Sequence, residues 1–181
     1  MPAKAGIVVF PGSNCDNDLY HVMKNVIKAD TEFLWHKDGS IGDRNLIFLP
    51  GGFSYGDYLR CGAIARFSPI MKEVIRFANN GGVVVGICNG FQALMKLGLL
   101  PYGDILPLEN DGPTLTFNKI GRHQSGYVTT KIVSADSPWL SMTNPGELYE
   151  IPVSHGEGRF YASEELLMSL FSNSRVATQY V

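Results

Sequence analysis

Cys88 stands in Gly86-Ile87-Cys88-Asn89-Gly90, directly after the apolar run Val83-Val84-Val85 and before a helix-forming stretch from Phe91 to Leu100. Glycines two positions before and after a nucleophile mark a sharp strand-to-helix turn, the nucleophile elbow. The nucleophile holds a strained backbone conformation there, and side chains at the flanking positions would collide. A cysteine at such a turn sits at a helix N-terminus, whose unpaired N–H groups favour the thiolate that attacks carbonyls. The Asn89 N–H then supplies one half of an oxyanion hole. The competing reading is a small buried hydrophobe, a common fate of free cysteine. A second segment, Pro50-Gly51-Gly52-Phe53-Ser54, follows another apolar strand. Its Gly-Gly turn lets the backbone approach a ligand and offers a second N–H to an oxyanion; the plainer alternative is an ordinary tight turn. No GxGxxG or Walker-type phosphate loop occurs, so no nucleotide site is indicated.

A thiolate mechanism needs a general base, ordinarily a histidine oriented by a carboxylate. The candidates are His21, His36, His123 and His155. His21 falls in the first helix and His36 just after the second strand, so both read as surface residues. His123 lies in an irregular segment with no obvious carboxylate partner. His155-Gly156-Glu157 sets a histidine and a glutamate two apart at one strand end, and from the residues alone it is the preferred dyad.

These groups must be positioned by the surrounding elements. Ala5 to Phe10, Thr31 to Trp35, Leu46 to Leu49 and Val83 to Val85 read as short apolar strands. Between them, Asp18 to Ile27 carries Leu19, Val22, Met23, Val26 and Ile27 on one helical face, and Pro69 to Phe77 aligns Ile70, Val74 and Phe77. Strands apolar at every position, alternating with amphipathic helices, indicate an α/β fold: an open, mostly parallel sheet with helices on both faces. Such sheets bind ligands at the carboxyl ends of their strands. Pro11-Gly12-Ser13, Pro50-Gly51-Gly52 and Ile87-Cys88-Asn89 should therefore lie along one sheet edge and could form a shared site. Beyond Leu100 come turn signals (Pro101-Tyr102-Gly103, Asp111-Gly112-Pro113), strand-like stretches near 126–133 and 148–153, and a helix from Ser163 to Phe171. The 181 residues read as one domain.

A formal net charge of −2 and the lack of any Lys/Arg-rich run give no support to a polyanion-binding role, so no nucleic acid partner is expected. The apolar runs are far shorter than a membrane span. Three widely spaced cysteines without a CxxC pair argue against a disulfide framework and a zinc site, and place the chain in the cytoplasm.

Four segments in this order, Pro11 to Asp16 (PGSNCD), Leu49 to Arg60 (LPGGFSYGDYLR), Gly86 to Gln92 (GICNGFQ) and Pro152 to Phe160 (PVSHGEGRF), resemble the glutaminase part of phosphoribosylformylglycinamidine synthase. The resemblance runs along nearly the whole chain. It implies a flavodoxin-like class I glutamine amidotransferase fold and a role in purine biosynthesis. Cys88 would attack the side-chain amide of glutamine, release ammonia and leave a glutamyl thioester for water to hydrolyse. Asn89 with Gly51 or Gly52 would hold the oxyanion, and Phe53, Gln92 and His155 would line the glutamine site. No cofactor is implied on this chain; ATP and Mg belong to the partner, a large synthase subunit or fused synthase domain that receives the ammonia. The Phe53 to Arg60 loop, with Arg66 beyond it, would be the docking surface for that partner.

The resemblance also argues against the His155–Glu157 dyad. In the family the catalytic His-x-Glu follows the HGEGR motif by several dozen residues, and these 181 residues stop before it. The expectation is an amidotransferase domain incomplete at its C-terminus, lacking the last βα segments, with a formed elbow and little turnover of its own. Two alternatives compete with this reading: a cysteine-elbow hydrolase of the same fold, and a non-catalytic glutaminase-like binding module. Gln92, together with the PGGFSYGDYLR loop, favours the amidotransferase over the first.

Overall fold

The computed structural model describes residues 2–102 and 112–181. The chain divides into two compact units, Met1–Leu108 and Glu109–Val181. The first opens with β1 (Lys4–Val9), α1 (Asp16–His21) and β2 (Asp30–Trp35), and continues with β3 (Leu46–Leu49), α2 (Ile70–Asn79), β4 (Val83–Gly86) and α3 (Asn89–Leu97). Its four strands form one sheet in the order β2-β1-β3-β4, with every pairing parallel.

The two central strands explain the unbroken apolar runs, because each buries side chains on both faces. On one face Val8, Ile47 and Leu49 pack with Ile70, Met71 and Val74 of α2 and with Ala93, Leu94 and Leu97 of α3. On the other, Ala5, Ile7 and Phe48 pack with Met23, Ala29 and Leu19. Ile7, Ile47 and Leu49 are fully buried, each stabilising the fold by about 1.5–3 kcal/mol. No helix among the described residues is long and apolar enough to cross a membrane.

The first helix departs from its expected stripe. Leu19 and Met23 reach the core, but Val22, Val26 and Ile27 are exposed. The cause is a π-turn over Val22–Val26, closed by Ile27 N–H donating to the Val22 carbonyl at 2.9 Å. The wider turn breaks the 3.6-residue period on which the stripe depends.

His36, expected at the surface, is 5% exposed. Its Nδ1 lies 2.7 Å from the Tyr55 hydroxyl, which is also 2.7 Å from Ser68 Oγ. Burial, and then the charge of Lys37, hold the imidazole below its ordinary 6.5, with Asp38 opposing. The unfolded chain thus takes up a proton near pH 6.5 that the folded chain refuses, so stability is present above that pH and is lost as pH falls below it. The melting temperature should drop between pH 7.5 and 5.5, and His36→Gln should flatten that slope. An unchanged slope in the variant would remove His36 as the cause.

The second unit contains β5 (Thr114–Thr116), β6 (Gln124–Ile132), β7 (Leu148–His155), β8 (Arg159–Tyr161), α4 (Glu164–Ser172) and β9 (Thr178–Tyr180). Strands β7-β6-β9 form an antiparallel sheet, and β5 pairs with β8. Ser163 caps α4 by accepting from Leu166 N–H at 3.2 Å, with Glu164 and Glu165 in the first turn. Gly103 and Asp111, expected in turns, lie outside the described residues.

Candidate active site

The three small-residue turns meet at the carboxyl ends of β1, β3 and β4. Cys15 N–H donates to the Gly51 carbonyl at 3.2 Å, Phe53 N–H to Gly12 at 2.8 Å and Tyr55 N–H to Pro11 at 2.6 Å, while Ile87 N–H donates to Leu49 at 3.0 Å. Gly52 has φ +135, and a Cβ there would lie 2.7 Å from the Gly12 carbonyl oxygen. Only glycine lets these turns interlock.

Cys88 is the residue before the first turn of α3, with φ 53 and ψ −112. A left-handed φ on a non-glycine residue costs of order 1–3 kcal/mol and is concentrated at functional sites. The thiol is exposed. A Cβ on Gly86 would lie 2.6 Å from Leu94 Cδ1 and 2.7 Å from the Gly90 carbonyl oxygen, so there is no room for a side chain where the elbow motif places a glycine. A Cβ built on Gly51 would fall 3.2 Å from Cys88 Cβ, which puts the Gly-Gly turn directly against the cysteine.

The same point on Gly51 is 3.5 Å from Cys15 Sγ. A second sulfur therefore lies beside Cys88, which the sequence reading did not single out; its signal was the Pro11-Gly12 turn that shares the sheet edge. Desolvation of its sulfur, and then the charges of Asp18, Cys88 and Asp16, push the Cys15 thiol up from its ordinary value. That keeps Cys15 protonated and a weak nucleophile at neutral pH.

Asn89 was chosen for its backbone N–H, yet its side chain is also built into the site. It is 3% exposed. Its Oδ1 accepts from Ser54 N–H at 2.9 Å, and its Nδ2 donates to Asp57 Oδ1 at 2.8 Å and to Gln92 Oε1 at 3.0 Å. Gln92 stands one turn along α3 from Cys88, and its backbone N–H donates to the Cys88 carbonyl at 3.1 Å. Tyr55, Asp57 and Leu59 all have left-handed φ, between 54 and 66. The loop that carries them is held at Tyr55 by His36 and Ser68 and at Asp57 by Asn89.

Phe53 is 61% exposed on this loop, and Tyr58 and Leu59 are also exposed. Arg66 is not a loose docking cation: its Nη1 donates to the Lys96 carbonyl at 3.2 Å and its guanidinium lies 4.6 Å over the Phe67 ring.

In the second unit, Asn118 Nδ2 donates to the carbonyls of His155 at 2.7 Å and Arg122 at 3.0 Å. The Asn118 Oδ1 is therefore an acceptor, and His155 Nδ1, 2.9 Å away, carries the proton it receives. The His155 ring is thus oriented by an amide rather than by Glu157, which the residue spacing alone had favoured. His123 Nε2 lies 2.9 Å from Ser154 Oγ, and His21 Nδ1 lies 3.1 Å from Asn25 Nδ2. Among the described residues no group of three or more His, Cys, Asp or Glu side chains is placed to hold a metal ion.

Residues 2–181 match the model of the CobB/CobQ-like glutamine amidotransferase domain. The chain is 47% identical over 180 residues to phosphoribosylformylglycinamidine synthase subunit PurQ of Salinibacter ruber, covering 99% of this chain and 72% of that one. It is 45% identical over 177 residues to the PurQ subunit of Trichormus variabilis, covering 98% and 74%. A chain in the structure of PurLQS from Thermotoga maritima superposes with a TM-score of 0.81 at 35% identity, covering all of this chain and 76% of that one. With the elbow cysteine, the Gly-Gly turn beside it and these matches over almost every residue, the chain belongs to the glutamine amidotransferase family, among the PurQ subunits of phosphoribosylformylglycinamidine synthase.

Proposed function

We propose that this chain is the glutaminase component of phosphoribosylformylglycinamidine synthase, with Cys88 as its nucleophile. The observation that carries the assignment of Cys88 is its exposed sulfur on a left-handed residue at a strand-to-helix turn, with Gly51 packed against it. The Cys88 thiolate adds to the side-chain carbonyl carbon of glutamine. The oxyanion is held by the N–H of Asn89 and an N–H of the Gly51-Gly52 turn, fixed donors that need no reorganisation as charge develops. Collapse breaks the C–N bond and releases the nitrogen as ammonia once it has gained a proton. Water then hydrolyses the thioester to glutamate and returns the thiol. Phe53 and Gln92 are assigned to the glutamine pocket.

Ammonia passes to a synthase partner that holds the ATP and Mg chemistry, and the T. maritima assembly supports such a partner. The exposed Phe53, Tyr58 and Leu59 are the surface offered to it. Three cysteines, none of them in a disulfide, suit a cytoplasmic enzyme.

The test is a glutamine-mimicking chloroketone followed by mapping of the adduct by mass spectrometry. Cys88 should be labelled in preference to Cys15 and Cys61; absence of labelling would indicate a non-catalytic module. A polypeptide of these 181 residues should take the label.

A further inference from the structure

We infer that the side chain of Asn89 is a positioning residue for glutamine hydrolysis, and that with Asp57 it forms a latch holding the oxyanion loop and Gln92 in register with Cys88. The inference rests on the amidotransferase reading and adds a role for a carboxamide that the motif does not require.

The donor and acceptor pattern leaves no freedom in the Asn89 amide. Ser54 presents a backbone N–H, so Oδ1 must face it; Asp57 presents a carboxylate oxygen, so Nδ2 must face it. The second Nδ2 proton goes to Gln92 Oε1. One buried side chain thereby ties three things together: the segment two residues past Gly52, the left-handed Asp57, and the pocket residue on α3. Asp57 holds φ 54 without being glycine. Such a residue persists only where its surroundings over-determine it, and the 2.8 Å bond to Asn89 is a contact that does so. Because Asn89 directly follows Cys88 in the chain, the latch references the loop to the nucleophile itself.

The chemistry makes a specific demand. Aspartate at position 89 is nearly isosteric but has no donor, and it would face the Asp57 carboxylate as a like charge. The loop should then swing out and carry the Gly51-Gly52 turn with it. A displacement near 1 Å at a reacting centre costs about 100-fold. Asparagine at position 57 opposite aspartate at 89 restores one donor and one acceptor with the direction reversed, and removes the repulsion.

The experiment uses the complete amidotransferase–synthase complex and follows three rates: glutamine-dependent synthesis, ammonia-dependent synthesis and chloroketone labelling of Cys88. Asn89→Asp should lower kcat with glutamine about 100-fold, with KM changing far less and the ammonia-dependent rate unchanged. Asp57→Ala should fall in the same direction. The double variant Asn89→Asp/Asp57→Asn should recover at least about ten-fold over Asn89→Asp alone. Labelling should follow kcat, while alkylation of Cys88 by iodoacetamide should not. Wild-type kcat in Asn89→Asp, or no recovery in the double variant, overturns the latch. Failure of the wild-type complex to use glutamine would overturn the underlying amidotransferase reading instead.

Discussion

Cys88→Ser should abolish glutamine-dependent synthesis by the complete complex, by roughly 10⁴-fold or more, the scale seen when a covalent nucleophile is removed. A serine hydroxyl has no accessible anion at neutral pH and is a far weaker nucleophile than a cysteine sulfur. Glutamine binding should persist, because the Gly51-Gly52 turn and Gln92 are untouched. Ammonia added directly should bypass the defect and support synthesis at the wild-type rate. That pairing separates loss of the nucleophile from loss of assembly. Cys15→Ser is the informative companion, since its sulfur approaches the same point on Gly51. Its thiol is held in the protonated state by desolvation and by neighbouring carboxylates, so this variant should lose less than about ten-fold. Glutamine-dependent activity surviving in Cys88→Ser, or vanishing in Cys15→Ser, would move the chemistry from one sulfur to the other.

Much of the frame was legible because it rests on periodicity and on punctuation by glycine and proline. Leu46 to Leu49 is the strand over the residues its apolar run marks, and the turns after β1, β3 and β4 meet at one sheet edge. Those features are local, or follow from how parallel sheets are built. What escaped the reading is long-range. His36 looked like an ordinary residue after a strand; its burial depends on Tyr55 and Ser68, far along the chain. The carboxamide of Asn89 was invisible as a latch because its partners Ser54 and Asp57 lie more than thirty residues away. The π-turn at Val22–Val26 escaped for another reason: an i, i+3, i+4 stripe is compatible with an α-helix whether or not one turn widens. Adjacency in His155-Gly156-Glu157 suggested a pair, and the long-range partner of His155 Nδ1, Asn118, could not be read from it.

Gly90→Ala should be the most damaging single-methyl change in the first unit. A Cβ at position 90 would lie 2.5 Å from the Leu49 carbonyl carbon and closer still to its oxygen. The obstacle is backbone, so no rotamer change relieves it, and Leu49 itself is fully buried in β3. Its carbonyl also accepts the Ile87 N–H at 3.0 Å, a bond that fixes the elbow against the strand. Relief therefore requires β3 and α3 to separate. Gly51 and Gly52 follow Leu49 directly, and Cys88 precedes Gly90 by two residues, so any separation parts the proposed oxyanion donors from the nucleophile. The expected result is a loss of stability of about 3 kcal/mol or more, the upper end of the overpacking range, with chloroketone labelling of Cys88 falling at least about 100-fold. Gly39→Ala is the control, since a Cβ there meets nothing within 4 Å; its stability should stay within about 0.5 kcal/mol of wild type. Thermal melting and labelling rates measured on both variants decide the matter. A Gly90→Ala protein that melts and labels like Gly39→Ala would show that strand and elbow are not in the close contact on which the site depends.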